Sequence, residues 1–492
     1  ERSQKNFIHT TYLDPPRGVI YDRTGVIIAS NEAFTDDKGD IRYRRAIKHP
    51  LAYSHVLGFV GRVSEKDIAS DSHIEGISEI GKTGLEARYN DTLRGRPGRV
   101  DEELNATGAA VSRGVTSPAI EGENLKTTLH AGLQEALWER MSRTIEDRGF
   151  RGGAGMIFSV KTGEVLALVS APSFDANAFA RGLTADEAKR IFSDEHAPLF
   201  NRAISGAFLS GSIIKPFIAL AALEENVIDP NRSVYSDGAL ELPDPFRPGE
   251  FSVFTDWKAH GYVDMRRALA VSSNVYFYTV GGGYGDIKGL GIERIKKWLG
   301  RFGIGTKTGI DIDGEKTGFL PDPTWKEIAH PENPIWRIGD TYHVSIGQGD
   351  LSVTIPEMAR GLSVIANGGE SPAFHIAKEK SVESGTFTVS IKEDSLRVVR
   401  EGMRAAVADG GTAAALSWTP FPMAGKTGTA ELGRKGRVNS WFMGYGPTDD
   451  PQIGAVIFLE SGSRTNLIGA SYVASETFRW IVDSGGLEAL MR

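Results

Sequence analysis

A serine and a lysine three positions apart offer the clearest chemistry in this sequence. Ser212 and Lys215 begin an apolar segment, residues 216–223, whose composition predicts a buried helix. Positions i and i+3 share a helix face, so the two side chains can approach each other. A serine hydroxyl becomes a nucleophile when a base lies within roughly 2.6–3.2 Å, and a lysine kept neutral by burial can be that base. The pair predicts a serine nucleophile, although S-x-x-K taken alone is more often a surface serine and a solvated lysine.

A second polar group follows 60 residues after Ser212, at Ser272-Ser273-Asn274. Its first hydroxyl could pass a proton between a lysine and a departing amine, and the Asn274 amide could donate to and accept from a peptide backbone. Serine and asparagine are also ordinary loop residues, so this segment has meaning only together with the first. We predict that the two segments meet in the fold.

Lys-Thr-Gly occurs five times, and its last copy has the context best suited to substrate binding. There, Lys426, Thr427 and Gly428 lie among small residues that predict an edge strand, against which a substrate backbone can lie as an added strand. We expect the lysine and the threonine hydroxyl to bind a carboxylate, and the Thr429 N–H to face the reacting carbonyl. The other copies begin at residues 82, 161, 307 and 316.

The composition describes a globular protein and excludes several classes of function. The chain has 492 residues, a net charge of −7 and no cysteine. Thiol catalysis, disulfides and Cys-ligated metal are therefore excluded, and without a basic field nucleic acid is not expected as a partner. No apolar run reaches the roughly 18 residues of a membrane span. Asp256 and His260 could be imagined as metal ligands, but polar loop residues satisfied by hydrogen bonds are the simpler interpretation.

Two regions of the chain differ in pattern. Residues 1–122 are rich in short β-type runs, and the polar stretch near Glu121 predicts a boundary to a second domain, residues 123–492. In the second region, β-type runs near both ends flank a long helical block, which predicts an antiparallel sheet flanked by helices, an α+β fold. Strands are expected at 156–160, 165–169, 421–430, 440–445 and 453–459, and helices at 133–145, 295–302, 355–365 and 473–482.

Three expectations concern the N-terminal region. Two β-type runs joined by Asp22-Arg23-Thr24-Gly25 predict a hairpin. The charged stretch 32–45 has no clear periodicity and predicts a loop. The apolar run 55–61 predicts a strand.

Taken together in this order, S-x-x-K, S-x-N and K-T-G resemble the three active-site motifs of penicillin-binding proteins and serine β-lactamases. Further segments resemble class B penicillin-binding proteins, the monofunctional transpeptidases, and the resemblance covers essentially the whole chain. Within that class, Pro15-Pro16 and Ser173-Phe174-Asp175 are more similar to the penicillin-binding protein 2 branch of cell-wall elongation than to the division branch. The segments that carry the class resemblance are Pro16-Arg17-Gly18, Gly84-Leu85-Glu86, Ser345-Ile346-Gly347-Gln348-Gly349 and Ser440-Trp441-Phe442.

The resemblance implies a covalent mechanism. Ser212 would attack the penultimate carbonyl of a D-alanyl-D-alanine stem-peptide end, with Lys215 as its base. The N–H groups of Ser212 and Thr429 would hold the oxyanion. The acyl group would then pass to an amine of a neighbouring strand, which forms a cross-link.

The other motif residues receive supporting roles from the same resemblance. Ser272 would pass a proton to the departing D-alanine, and Asn274 would align the peptide. Lys426 and Thr427, followed by Gly428, would bind the terminal carboxylate. Their positive field would also lower the pKa of the nucleophile's lysine.

The resemblance further implies partners and location. The partners would be peptidoglycan stem peptides, β-lactam antibiotics that acylate the same serine, and a membrane glycosyltransferase of the elongation complex. No metal or other cofactor is implied. The protein would act on the periplasmic side of the bacterial inner membrane, with its single N-terminal anchor absent from this sequence. A short segment between Asn31 and His55 implies that the head of the N-terminal pedestal is reduced.

Several alternatives remain open at this point. The chain could be a division-type transpeptidase. The same residues would also serve a D,D-carboxypeptidase or a β-lactamase-like hydrolase, which sends the acyl group to water, and a carboxypeptidase side activity is compatible with a transpeptidase. A non-catalytic β-lactam-binding sensor or scaffold would keep the pocket without turnover, but it would not need Ser272, Lys426 and Thr429 together.

Overall fold

A five-stranded antiparallel sheet with helices packed on it forms the larger part of the molecule. The computed structural model describes residues 7–37, 39–70, 77–105, 110–244, 247–378, 385–433 and 436–491. A smaller region rich in short strands precedes the large sheet in the chain. The predicted α+β fold is therefore confirmed. Within the described ranges, no helix combines the length and the apolar character needed to cross a membrane.

The N-terminal region contains short strands and short helices. Its strands are β1 (Phe7–Leu13), β2 (Ile20–Tyr21), β3 (Ile27–Thr35), β4 (Ile41–Ile47), β5 (Val60–Arg62), β6 (Glu79–Gly81), β7 (Gly98–Leu104), β8 (Ala110–Ser117) and β9 (Leu125–Lys126). Its helices are α1 (Pro50–Leu57), α2 (Glu65–Ser70), α3 (Gly84–Arg88) and α4 (Asn90–Leu93). They form sheets of strand order β1-β7-β8, β4-β3-β2-β9 and β5-β6. The predicted hairpin is present, since β2 pairs antiparallel with β3.

Two N-terminal expectations were wrong. The charged stretch 32–45 is mostly strand, because β3 and β4 form an exposed antiparallel pair in which Glu32 lies opposite Arg44. Opposite charges on facing strands stabilise such a pair without apolar alternation. The run 55–61 begins inside helix α1, where Pro50 occupies the first turn and the following side chains are buried. A short apolar run has no periodicity that separates a buried helix from a strand.

Two of the segments that carried the family resemblance meet inside this region. Arg17 donates from Nε to Glu86 Oε2 at 3.0 Å, and Arg45 of β4 donates to the other oxygen of the same carboxylate. All three side chains are buried. Burial favours the neutral acid, but the two guanidinium groups outweigh it and lower the pKa of Glu86. A paired internal charge therefore joins the start of the chain to helix α3.

The C-terminal region supplies the large sheet and most helices. Its strands are β10 (Gly152–Ser159), β11 (Val165–Ala171), β12 (Phe208–Leu209), β13 (Val234–Ser236), β14 (Ala239–Pro243), β15 (Phe251–Thr255), β16 (Gly261–Val263), β17 (Ser352–Val353), β18 (Glu370–Ser371), β19 (Phe387–Thr388), β20 (Ala424–Glu431), β21 (Arg437–Gly446) and β22 (Ile453–Ser463). Its helices are α5 (Ala131–Arg148), α6 (Ala176–Arg181), α7 (Ala185–Ser193), α8 (Arg202–Ser205), α9 (Lys215–Glu224), α10 (Met265–Val271), α11 (Asn274–Gly282), α12 (Ile292–Arg301), α13 (Pro323–Ala329), α14 (Ile338–Ser345), α15 (Ile355–Ala366), α16 (Glu393–Val407), α17 (Ala470–Asp483) and α18 (Gly486–Met491).

The large sheet has the strand order β11-β10-β22-β21-β20 and separates two cores. Successive side chains of a strand face opposite sides, so Met156 and Phe158 of β10 belong to one apolar cluster and Ile157 to the other. Helices α5 and α17 pack on the side of Ile157. The helical block that includes α9 and α15 packs on the other side. Each predicted strand and helix of this region overlaps an observed one, and β20 lies at the sheet edge as expected.

Candidate active site

A cleft of about 790 Å³ lies where the three sequence motifs meet. Its walls include Ser212, Ser272 and Asn274 from the helical block. The edge strand β20 contributes Thr427, Gly428 and Thr429. The two remaining motif lysines, Lys215 and Lys426, are fully buried behind this surface. The structure therefore brings all the sequence-predicted site residues together.

Ser212 lies in a short 3₁₀ turn, residues 211–214, that continues directly into helix α9. Gly211 precedes it with a φ of 52°, a left-handed conformation that favours glycine. A Cβ atom at Gly211 would lie 2.6 Å from the carbonyl oxygen of Thr429, and one at Gly428 would lie 2.9 Å from the carbonyl oxygen of Ser210. The missing side chains of Gly211 and Gly428 thus allow the backbone of the Ser212 turn to pack closely against the edge strand.

Lys215 is the first residue of α9, and its ammonium is directed at the second motif. Its Nζ donates to the Ser272 carbonyl oxygen at 2.8 Å and to Asn274 Oδ1 at 2.8 Å, and it lies 3.3 Å from Ser272 Oγ. In the described part of the chain, no hydrogen bond joins Lys215 to Ser212. Burial lowers the pKa of Lys215 to about 7, and the negative charge of Asp256 opposes that shift. A lysine with such a pKa is partly neutral near physiological pH and can accept a proton.

Ser272 stands between two helices and between two lysines. It ends α10 with φ 59° and ψ 39°, a left-handed conformation that is uncommon for serine. The Ser272 hydroxyl oxygen accepts a hydrogen bond from Lys426 Nζ at 2.9 Å, and Lys215 Nζ contacts the same oxygen. This arrangement allows a proton to move between a lysine and a group in the cleft through Ser272.

Asn274 is the first residue of α11 and bridges the lysine to the cleft wall. Its Oδ1 accepts from Lys215, and its Nδ2 donates to the Thr255 carbonyl oxygen at 3.3 Å. The intervening Ser273 caps α11 by accepting from the N–H of Tyr276. The amide orientation of Asn274 is thus set by partners on both of its ends.

The third motif lies on β20, which pairs with β21 on one side and, among the described residues, with no strand on the other. Thr429 is exposed and Thr427 is half-buried, and both face the cleft. Lys426, unlike the two threonines, lies beneath the cleft surface. Its Nζ donates to Ser272 Oγ and to the Thr427 carbonyl oxygen. Burial first, and then the positive charge of Lys215, hold the pKa of Lys426 well below its ordinary value.

The cause of the lowered pKa of Lys215 differs from the expectation. We expected a positive field from the third motif to lower the pKa of Lys215, but burial is the cause at that lysine. The field of a neighbouring cation acts on Lys426 instead. Both ammonium groups were removed from water by the fold, and desolvation alone disfavours the charged form of a lysine.

Sequence reasoning missed the third wall of the cleft. Thr255, Trp257, Tyr278 and His343 line it, together with Gln348, which the sequence had marked only through the family resemblance. From the sequence, Asp256 was considered as a metal ligand or, more simply, as a polar loop residue satisfied by hydrogen bonds. In the structure its carboxylate accepts hydrogen bonds from several donors. No spacing pattern joins the 255–257 segment to Ser272, because the two come together through separate strands and helices.

Comparison with known families agrees with this fold. The family described as penicillin binding protein transpeptidase domain matches residues 153–483, and the penicillin-binding protein dimerisation domain matches residues 40–127. The first match covers more than half of the chain, so the chain belongs to the penicillin-binding protein transpeptidase family. The resemblance inferred from the three motifs is confirmed.

The relatives narrow the family further. MrdA of Haemophilus influenzae, a peptidoglycan D,D-transpeptidase, is 31% identical over 474 residues, which cover 90% of this chain and 69% of that protein. The crystal structure of Pseudomonas aeruginosa PBP2 in complex with WCK 5153 has a TM-score of 0.79 and 28% identity, over 97% of this chain and 96% of that one. A chain from a peptidoglycan synthase complex that coordinates polymerization and crosslinking has a TM-score of 0.79 and 28% identity, over 98% and 92%. The chain is therefore a serine-type D,D-transpeptidase similar to MrdA and PBP2.

Proposed function

We propose that this chain cross-links peptidoglycan stem peptides through an acyl-enzyme on Ser212, in cell-wall elongation. The observation that carries the proposal is the shared hydroxyl of Ser272. Two buried lysines, Lys215 and Lys426, contact it directly behind the cleft surface that Ser212 lines. Such a chain of proton carriers suits a reaction that takes a proton from a nucleophile and gives one to a leaving amine.

In the acylation step, Ser212 Oγ attacks the penultimate D-alanine carbonyl, and its proton passes to neutral Lys215. The bond from the carbonyl carbon to the terminal D-alanine nitrogen breaks, and Ser272 passes a proton from the lysine to that nitrogen. The products are an ester on Ser212 and free D-alanine. Bonds and protons balance without any added group.

The edge strand would orient the substrate. Its backbone lies against β20 as an added strand, which directs the scissile carbonyl toward the N–H groups of Ser212 and Thr429. Each such donor contributes roughly 3–4 kcal/mol to the transition state. The Thr427 hydroxyl donates a hydrogen bond to the terminal carboxylate. Lys426 lies beneath the surface, and the bound anion favours its protonated form, so this lysine supplies positive charge to the site.

The second half of the reaction separates a transpeptidase from a hydrolase. An amine of a neighbouring strand attacks the ester carbonyl, the bond to Ser212 Oγ breaks, and the amine proton returns to the serine through Lys215. Water would do the same in a carboxypeptidase or a β-lactamase. An acyl-enzyme that persists for minutes to hours after reaction with penicillin would favour the transpeptidase, and sub-second turnover would favour a β-lactamase.

We also propose the assembly and location that suit this activity. Residues 1–122 act as a pedestal and residues 123–492 as the transpeptidase domain. The partner is a membrane glycosyltransferase of the elongation complex, which is supported by the similarity to a chain of a peptidoglycan synthase complex. Because stem peptides are cross-linked outside the cytoplasm, the protein acts on the periplasmic side of the inner membrane, held there by an N-terminal anchor.

The test is mass spectrometry of the intact protein after treatment with labelled penicillin. We expect one covalent adduct in the wild type and none in Ser212→Ala. Ser210→Ala is the matched control, because Ser210 is buried two positions away and its hydroxyl has no partner among the described residues. An undiminished adduct in Ser212→Ala would eliminate the assignment.

A further inference from the structure

Asp256 has a buried carboxylate that holds the second motif from behind. Its Oδ2 accepts from Ser273 Oγ at 2.8 Å, from the Val275 N–H at 3.0 Å and from Ser236 Oγ at 3.2 Å. Its Oδ1 accepts from the Trp257 N–H at 2.9 Å. The side chain is 0% exposed. Four donors on one internal carboxylate fix it in place.

The residues on either side of Asp256 extend the same contact. The Thr255 carbonyl oxygen accepts from Asn274 Nδ2 at 3.3 Å and from the Tyr278 hydroxyl at 3.2 Å. Trp257 Nε1 donates to the Val271 carbonyl oxygen at 3.1 Å, on the other side of the turn. Residues 255–257 therefore form hydrogen bonds with the chain both before and after the turn that contains Ser272.

That turn has a conformation that needs support. Ser272 has a φ of 59°, which L side chains adopt only where the surroundings over-determine it. The turn also presents the two oxygens that bind the catalytic lysine, the Ser272 carbonyl and Asn274 Oδ1. A small change in the turn would move both acceptors away from Lys215.

We propose that Asp256 is a positioning residue for the acylation step, which fixes the Ser272–Asn274 turn against Lys215 and favours the protonated form of that lysine. The inference rests on the proposed roles of Lys215 and Ser272. It deepens the proposed function, because none of the three motifs contains Asp256. Asp256 acts through other residues, since its carboxylate oxygens already accept hydrogen bonds from protein donors.

The electrostatic part of the argument follows from the charged groups that face Lys215. They are Lys426 of β20, which contacts the same hydroxyl, and Asp256 and His260 from the segment after β15. The charge of Asp256 also acts on Tyr278 of α11. Burial lowers the pKa of Lys215, and Asp256 raises it. The His260 ring is also buried, and burial lowers its pKa, so it adds little positive charge at neutral pH. Removing the Asp256 charge should therefore lower the pKa of Lys215 further.

The experiment compares Asp256→Asn with the wild type in acylation by labelled penicillin, from about pH 5.5 to about pH 9.5. We expect the plateau rate to fall roughly tenfold or more, because the turn loses its charged anchor. We also expect the acidic limb of the profile to move to lower pH by at least about half a unit. A lower plateau with an unmoved limb, or an unchanged profile, would overturn the proposal.

Two further variants complete the test. Asp264→Asn is the matched control, because Asp264 caps the nearby helix α10 and asparagine caps equally well; its profile should match the wild type. If Asp256→Asn does not fold, the Ser273→Ala variant tests the positioning role of Asp256 instead. That change keeps the charge of Asp256 and removes its 2.8 Å hydroxyl contact together with the Ser273 cap of α11, so the plateau should fall while the limb stays. An unchanged plateau in Ser273→Ala would refute positioning by Asp256.

The same data separate this inference from the proposed function. If the wild type is not acylated at Ser212, the proposed function fails, whatever Asp256 does. If the wild type is acylated and the Asp256→Asn profile is unchanged, only the role of Asp256 fails.

Discussion

Lys215 and Lys426 contact the same hydroxyl oxygen. Their Nζ atoms lie 3.3 Å and 2.9 Å from Ser272 Oγ, although the lysines belong to a helix and to a strand far apart in the chain. Burial lowers the pKa of both lysines, and at Lys426 the positive charge of Lys215 lowers it further. The site is therefore poised to move protons.

The acylation rate should rise with pH through about 7. Lys215 must be neutral to accept the Ser212 proton, and burial sets its pKa at about 7. The rate should be low below that pH and constant above it. The measurement is the second-order rate of labelling by penicillin as a function of pH. Lys161→Met, at an exposed lysine in a hairpin turn, should keep the wild-type profile. A midpoint above about 9, close to the pKa of an ordinary lysine, would contradict a lowered pKa for the Lys215 base.

Ser272→Ala and Ser272→Gly should separate activity from stability. Both remove the shared hydroxyl, so acylation should fall roughly 100-fold or more in each. The left-handed φ of 59° is strained for alanine but not for glycine. We therefore expect the glycine variant to equal the alanine variant in free energy of unfolding or to exceed it by up to about 1 kcal/mol. Denaturant unfolding and penicillin labelling measure the two effects, and acylation within about twofold of the wild type would contradict the proposed proton relay.

Thr427→Ala and Thr429→Ala should differ, although both residues face the cleft on one strand. Thr427 is proposed to use its hydroxyl, and losing a hydrogen bond to a carboxylate should weaken substrate binding about tenfold. Thr429 is proposed to use its backbone N–H, which alanine retains, so its variant should stay within about threefold of the wild type. The dependence of the acylation rate on penicillin concentration distinguishes them. Equal losses in both variants would contradict the separate roles.

Gly211→Ala should disable the site through the backbone. The added Cβ would lie 2.6 Å from the Thr429 carbonyl oxygen at a left-handed φ, so the Ser212 turn must move away from β20. We expect acylation to fall roughly 100-fold. Gly149→Ala is the control, since Gly149 also has a left-handed φ but no atom within 4 Å of the added Cβ. It should cost about 1 kcal/mol of unfolding free energy and leave the acylation rate unchanged.

The sequence by itself determined the local parts of this protein. The i, i+3 spacing of Ser212 and Lys215, the small residues of β20 and the periodicity of the long helices are all properties of short segments, and the structure contains each of them. The two N-terminal errors, at 32–45 and 55–61, arose where a short segment has no decisive pattern and packing against its neighbours selects helix or strand.

Only the tertiary structure decided what the site residues contact. Lys215 binds Ser272, 57 positions away, rather than Ser212, and Lys426 reaches the same serine across 154 positions. The lowered pKa of each lysine comes from burial, which no spacing encodes. Asp256 gained its importance in the same way, because its donors come from β13, from the turn between α10 and α11, and from its own segment. Desolvation and contacts between distant segments are properties of the folded chain, so residue types and their spacing can suggest the chemistry while the fold sets its protonation states and geometry.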